Sequence, residues 1–167
     1  MARPMTSVDH PAEGPAIARL VASPAVHWIA LLGLCAAYIQ GALTQAFDFP
    51  AAIAEMQHFG LAPAEPFAVL VIVSQLCASA LILSGFCRWL GALALAGFTL
   101  AATVVALRFW EMAPPGRTMA ANAFFEHLGL AGGFLLVAWW DLASRRDRSR
   151  KDTLREDRLR HDGDDRR

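Results

Sequence analysis

Apolar residues along this chain come in long unbroken runs rather than in alternation with polar ones. Four runs stand out, at 24–47 (PAVHWIALLGLCAAYIQGALTQAF), 67–86, 89–110 and 120–140. At helical rise each covers about 30 Å or more, enough to cross the hydrocarbon layer of a bilayer. The first run is longer than a signal-peptide core and no A-x-A cleavage site follows it, so it reads as a retained span. Between the first two runs lies DFPAAIAEMQHFGLAPAEP, residues 48–66. Asp48 is placed to cap a short helix with Pro50 in its first turn, and Ile53, Met56 and Phe59 give that helix an apolar side suited to lying on the membrane surface. Gly60, Pro63 and Pro66 should end it. A four-residue turn around Arg88 and the breaker EMAPPGRTM make the other two connections. Short connections at two of the three turns predict an all-α, antiparallel four-helix bundle in the membrane. The expected organisation is a polar arm over 1–23, a transmembrane domain over 24–143, and a charged tail over 144–167 that is disordered or only partly helical.

Composition sharpens this picture. The chain is 56% hydrophobic and 18% charged, and residues 141–167 alone hold 18 of its 30 formal charges. The stretch before them is almost free of charge, as a membrane domain must be. The zero net charge arises from summation and gives no footprint for nucleic acid. Basic residues set the expected orientation. Arg3, Arg19, Arg88 and the ten Lys/Arg of the tail fall on one side if four helices alternate, against Arg108 and Arg117 on the other. The positive-inside rule then puts both termini in the cytoplasm of a bacterial inner membrane, with Trp139 and Trp140 as interface anchors. The basic cluster at 145–151 also suits anionic lipid headgroups. Cys35, Cys77 and Cys87 share no CxxC spacing and read as small buried hydrophobes.

Helices in lipid associate through small residues and polar links. Gly33 and Gly41 in the first span, Gly97 in the third (with Ala94 and Ala101), and Gly129 and Gly133 in the fourth are the expected packing positions. Asn122, Glu126, Gly129 and Gly133 fall at steps of four, three and four, hence on one helix face. Counting inward, Glu126 and His127 lie about 10 Å deep, Gln75 about 12 Å and Gln40 about 9 Å. Gln45 follows Gln40, and Arg108 can reach in from the rim. A lone charge facing lipid costs at least about 2.5–3.5 kcal/mol, so these groups are expected to converge on one polar layer in the outer half of the bundle. Two uses of such a layer compete: an internal clasp that fixes helix register, and a pocket for a small polar or quinone-like headgroup. A proton path is a third, weakened by the lack of ionisable groups in the inner half. His27 and His127 lie at opposite ends of their spans, which argues against haem, and no metal-ligand spacing, nucleophile elbow or phosphate loop is present in the sequence.

Three stretches carry a family resemblance: YIQGALTQAFDFPAAIAEMQHFGLAPAEP, QLCASALILSGFCRWLGALAL and NAFFEHLGLAGGFLLVA. Their order and spacing over about residues 38–143 resemble the DoxX family of small bacterial membrane proteins. The chain departs from that pattern at Gln45, where a Lys is usual, at Gln75, where a Glu is usual, and at Glu126-His127, where Lys-Asn is common. The resemblance implies a membrane component of a redox, respiratory or oxidative-stress system, since a related small subunit belongs to a thiosulfate:quinone oxidoreductase. An enzymatic role, if any, would be that of an oxidoreductase subunit. It implies quinone as the cofactor to consider, and a protein partner or a second copy beside the lipid bilayer. The rival expectation is a non-catalytic scaffold or assembly protein.

Overall fold

The computed structural model describes residues 16–164, with side chains through residue 155. The first fifteen residues of the polar arm and the last three of the tail lie outside that range. A short helix, α1 (Ala16–Val21), precedes the first span. Helix α2 (Pro24–Phe47) starts where the Ser23 hydroxyl accepts from the Val26 N–H at 3.4 Å and Pro24 occupies the first turn. Helix α3 (Phe49–His58) is capped by Asp48, whose carboxylate accepts from the Ala51 N–H at 3.2 Å. Gly60, at φ +72°, lets the chain turn back after it.

Helix α4 (Ala64–Ser84) begins before residue 67, the expected start of the second run. Pro66 does not delay it, because a proline in the first turn gives up no hydrogen bond. Gly85 stops α4 in the left-handed conformation, with its N–H on the Leu81 carbonyl at 3.2 Å. Helix α5 (Arg88–Ala106) ends short of residue 110. A 3-10 turn at Phe109–Glu111 follows, and it stacks Phe109 edge-on against Phe124 at 5.4 Å. Helix α6 runs from Gly116 to Asp164 without a break. The tail is therefore helical where disorder or partial helix was expected. Residues 141–164 contain no proline, and they extend a helix the span has already nucleated, so the costly first turn is not formed again. The Asp141–Arg145 pair at 2.9 Å adds support at i,i+4 spacing.

Helices α2, α4, α5 and α6 are each long and apolar enough to cross a membrane. Cys35 and Tyr38 of α2, Ile82 of α4, Leu95 of α5 and Phe134 of α6 meet in one core, each less than a tenth exposed. Tyr38 stacks edge-on against Phe134 at 5.3 Å. Thr99 donates its hydroxyl proton to the Leu95 carbonyl at 2.6 Å, so the Tyr38 hydroxyl donates to Thr99 Oγ1. A second cluster seats α3 on α4 through Ala52, Met56 and Ala68. The apolar side of α3 thus faces protein rather than the plane of the membrane. Outside, Leu32, Leu70, Val73, Leu100, Val104 and Leu136 are exposed in a belt that only lipid can cover without cost.

The faces that pack differ from those the glycines suggested. On α6 the inward positions are Ala120, Phe124, His127, Ala131, Phe134, Ala138 and Asp141, at steps of three and four. Asn122, Glu126 and Gly129 point outward. A Cβ on Gly33, Gly97 or Gly129 would meet nothing within 4 Å. Gly133 touches Leu34 across the α2–α6 seam, and Gly41 lies beside Gln75. The tightest crossing is at Gly91, where a Cβ would stand 2.5 Å from the Ala78 carbonyl oxygen. Bulky Phe134 and Leu95 with their alanine neighbours bury more surface per turn than a glycine face can, and they set the rotation of both helices. Of the cysteines only Cys35 is buried, while Cys77 is exposed and Cys87 half-buried.

The two ends of the bundle differ. At one, which carries Arg88 and the start of the tail and is here called the basic end, Asp141 is 8% exposed. Its carboxylate accepts from Arg145 Nε at 2.9 Å and from the Trp89 N–H at 3.4 Å. Arg145 Nη2 donates to the Phe86 carbonyl at 2.9 Å. Helix α6 thereby places a negative charge on the positive N-terminus of α5 and ties down the α4–α5 turn. At the opposite end, α3 packs on α4 and α2.

Candidate functional site

Towards the end opposite the α4–α5 turn, a space is left between α3, α4 and α5 beside Gln45 of α2. A cavity of about 610 Å³ fills it. Its walls are mostly apolar: Met56 of α3 and Phe59 just after it, Phe67, Leu70 and Val71 of α4, and Phe98, Ala102 and Val105 of α5. Four polar side chains reach it, namely Gln45, Glu55, Ser74 and Gln75. Ser74 is satisfied, since its hydroxyl donates to the Val71 carbonyl at 2.9 Å. Gln45 Nε2 donates to Glu55 Oε2 at 2.9 Å. An ionised carboxylate only accepts, so this contact fixes the Gln45 amide with its nitrogen towards Glu55. Gln45 Oε1 is then left buried without a hydrogen-bond partner. Gln75 is 6% exposed, its Oε1 lying 3.6 Å from where a Gly41 Cβ would stand. The cavity thus couples a greasy body to a small polar end offering an unmet acceptor and an amide that can donate. Such a site suits a lipophilic molecule with one oxygenated end.

Of the expected polar layer, the fold brings together Gln45 and Gln75 and leaves the other members apart. Gln40 is exposed on α2 and donates to Thr44 Oγ1 at 3.0 Å. Arg108 is more than half exposed and makes a loose 3.9 Å pair with Glu111. Asn122 and Glu126 are exposed on α6, a consequence of the rotation that buries Phe134. His127 is the member of that expected layer on α6 that turns inward, and its Nδ1 is enclosed without a partner. Glu55 entered the sequence reading only as part of the surface helix, and its role depends on α3 folding back over α2, which periodicity does not encode. Among the described residues no three of His, Cys, Asp and Glu come together as metal ligands would.

Residues 29–108 match the DoxX family model. The match supports membership of the DoxX family. The matched segment runs from α2 to the end of α5 and contains every residue lining the cavity, whereas α6 with Asn122, Glu126 and His127 lies beyond it. No curated protein and no solved structure matches the chain. The family and the four apolar helices make this a multi-pass membrane protein in contact with the lipid bilayer.

Proposed function

We propose that this DoxX protein binds a quinone or a closely similar lipophilic carbonyl compound in the α2–α5 cavity, as the membrane component of a redox or oxidative-stress system. The observation that carries the reading is Gln45 Oε1, a buried acceptor with no partner at the edge of an apolar cavity. A buried group left unpaired costs about 1–3 kcal/mol, so a ligand hydroxyl delivered there gains that much. A quinol supplies the hydroxyl, and Gln75 can donate to a quinone carbonyl. The isoprenoid tail would lie along Phe67, Leu70 and Val105.

The test is extraction and rebinding. Protein purified from membranes should release a quinone into organic solvent, and the emptied protein should rebind a short-chain analogue. Gln75→Leu should weaken rebinding about tenfold, one lost hydrogen bond to a buried group, while the helical signal persists. Unchanged binding in both Gln45→Leu and Gln75→Leu would refute the site.

A second reading, a scaffold or assembly protein, draws on a different observation. Asn122 and Glu126 sit exposed within the fourth span, where lipid is a poor solvent for them. A partner helix or a second copy would cover them, and Glu126→Leu would then abolish co-purification without emptying the cavity.

For placement we propose the bacterial inner membrane, with the basic end and both termini in the cytoplasm. The support is the bias of Lys and Arg towards that end. The division into arm 1–23, bundle 24–143 and tail 144–167 is kept as a working one, with the junction at Asp141–Arg145 structurally continuous.

A further inference from the structure

At the basic end a second cavity, of about 440 Å³, opens between the start of α2 and α6. Its walls are Ala30, Leu31 and Leu34 on one side and Leu136 and Val137 on the other. Its rim carries His27, Arg88, Trp139 and Trp140. We propose that this groove is a binding site for an anionic phospholipid, with Arg88 on the phosphate and one acyl chain between α2 and α6.

Three observations converge on that ligand. The first is the charge of Arg88. Its Nε donates to the Ile82 carbonyl at 3.0 Å, which anchors the guanidinium at the α4–α5 turn. No carboxylate among the described residues lies within ion-pair distance of it. Asp141, the buried acid of this end, is already taken by Arg145 and the Trp89 N–H. A half-buried, held and un-neutralised arginine is a ready donor to a phosphate. The second is depth. Trp139 and Trp140 are both 64% exposed beside it, and such indoles sit at headgroup level. The third is the direction of the groove. Below the rim every lining residue is apolar and the cleft faces the membrane, so the tail of the same molecule finds its own solvent there. Ala30 and the Gly133–Leu34 contact keep the seam narrow, which suits a single chain rather than a helix.

Native mass spectrometry of the full chain in detergent tests this, with phosphatidylglycerol competing against phosphatidylcholine. Wild type should retain phosphatidylglycerol preferentially. Arg88→Gln should reduce that preference about fivefold, the weight of one basic contact at a headgroup, and Arg88→Lys should keep most of it. Ala30→Trp, which fills the groove at an exposed position and leaves Arg88 in place, should also remove the retained lipid, and it serves if Arg88→Gln misfolds. Equal retention by wild type and Ala30→Trp would overturn the proposal. So would an equal loss on neutralising only Arg146 and Arg148, which would assign the effect to the tail surface. Displacement by millimolar inorganic phosphate would reduce the site to a free-anion site and overturn it as well.

Discussion

Replacing Gly91 with alanine tests the packing of the bundle at its tightest point. In an ordinary helix the change gains about 1 kcal/mol, because glycine surrenders more backbone freedom on folding. Here the new methyl group would stand 2.5 Å from the Ala78 carbonyl oxygen and 3.0 Å from Leu81 Cβ. A comfortable carbon–oxygen contact is about 3.3–3.6 Å, so α4 and α5 must separate by close to an ångström. The obstacle is backbone rather than a side chain that could swing away. Overpacking of this kind costs about 1–3 kcal/mol, and its upper part applies here, which leaves a net loss of about 1–2 kcal/mol. Gly97 lies six residues further along α5 with nothing within 4 Å of its would-be Cβ. Gly97→Ala should therefore stabilise by up to about 1 kcal/mol. Titrating each variant with SDS in mixed micelles, followed by tryptophan fluorescence, measures the difference directly. If the two alanines shift the unfolding midpoint in the same direction, the close approach at Gly91 is wrong and so is the rotation of α5.

Four further changes probe other parts of the molecule. Asp141→Asn should lower stability by about 1–3 kcal/mol, with non-additivity against Arg145→Gln in a double-mutant cycle; additive effects would deny the clasp at the basic end. Tyr38→Phe should cost about 1 kcal/mol in the same micelle assay, since the Thr99 proton stays on the Leu95 carbonyl, and a loss several times larger would show that the hydroxyl has another partner. Glu126→Leu should leave the unfolding midpoint of the monomer unchanged or raised, because no partner among the described residues is lost; a steep fall would restore the inward clasp. A membrane-impermeant maleimide should label Cys87 in broken cells and not in intact ones, and labelling of intact cells would invert the proposed orientation.

Most of the architecture could be read from run length alone, because a bilayer imposes a length on anything that crosses it. The cap at Asp48 and the stop at Gly60 were equally readable, since each is a local interaction between neighbours in the chain. Rotation about the helix axis was not. Asn122, Glu126, Gly129 and Gly133 share a face, and the small-and-polar rule for membrane interfaces pointed to it. Yet the series Ala120, Phe124, His127, Ala131, Phe134, Ala138 is equally periodic, and its larger buried area decides the matter. In a span that is apolar all round, periodicity offers two faces and no contrast to choose between them. The cavity was half legible for the same reason: Gln45 and Gln75 stood out as amides in apolar runs, whereas Glu55 acquires meaning only when α3 folds back. Asp141 looked like the first of many tail charges, although it continues the inward series by one more step.

Helix α6 is 49 residues long, about 74 Å at helical rise, of which the hydrocarbon layer takes about 30 Å. The part beyond Asp141, about 35 Å, extends past the basic end like a mast stepped into a hull, with Asp141 and Arg145 at the deck. Torque applied to it is felt first by the collar at Trp89 and Phe86. Cutting that mast with a flexible glycine insert just after Arg146 would free its far end to swing while leaving the ship intact.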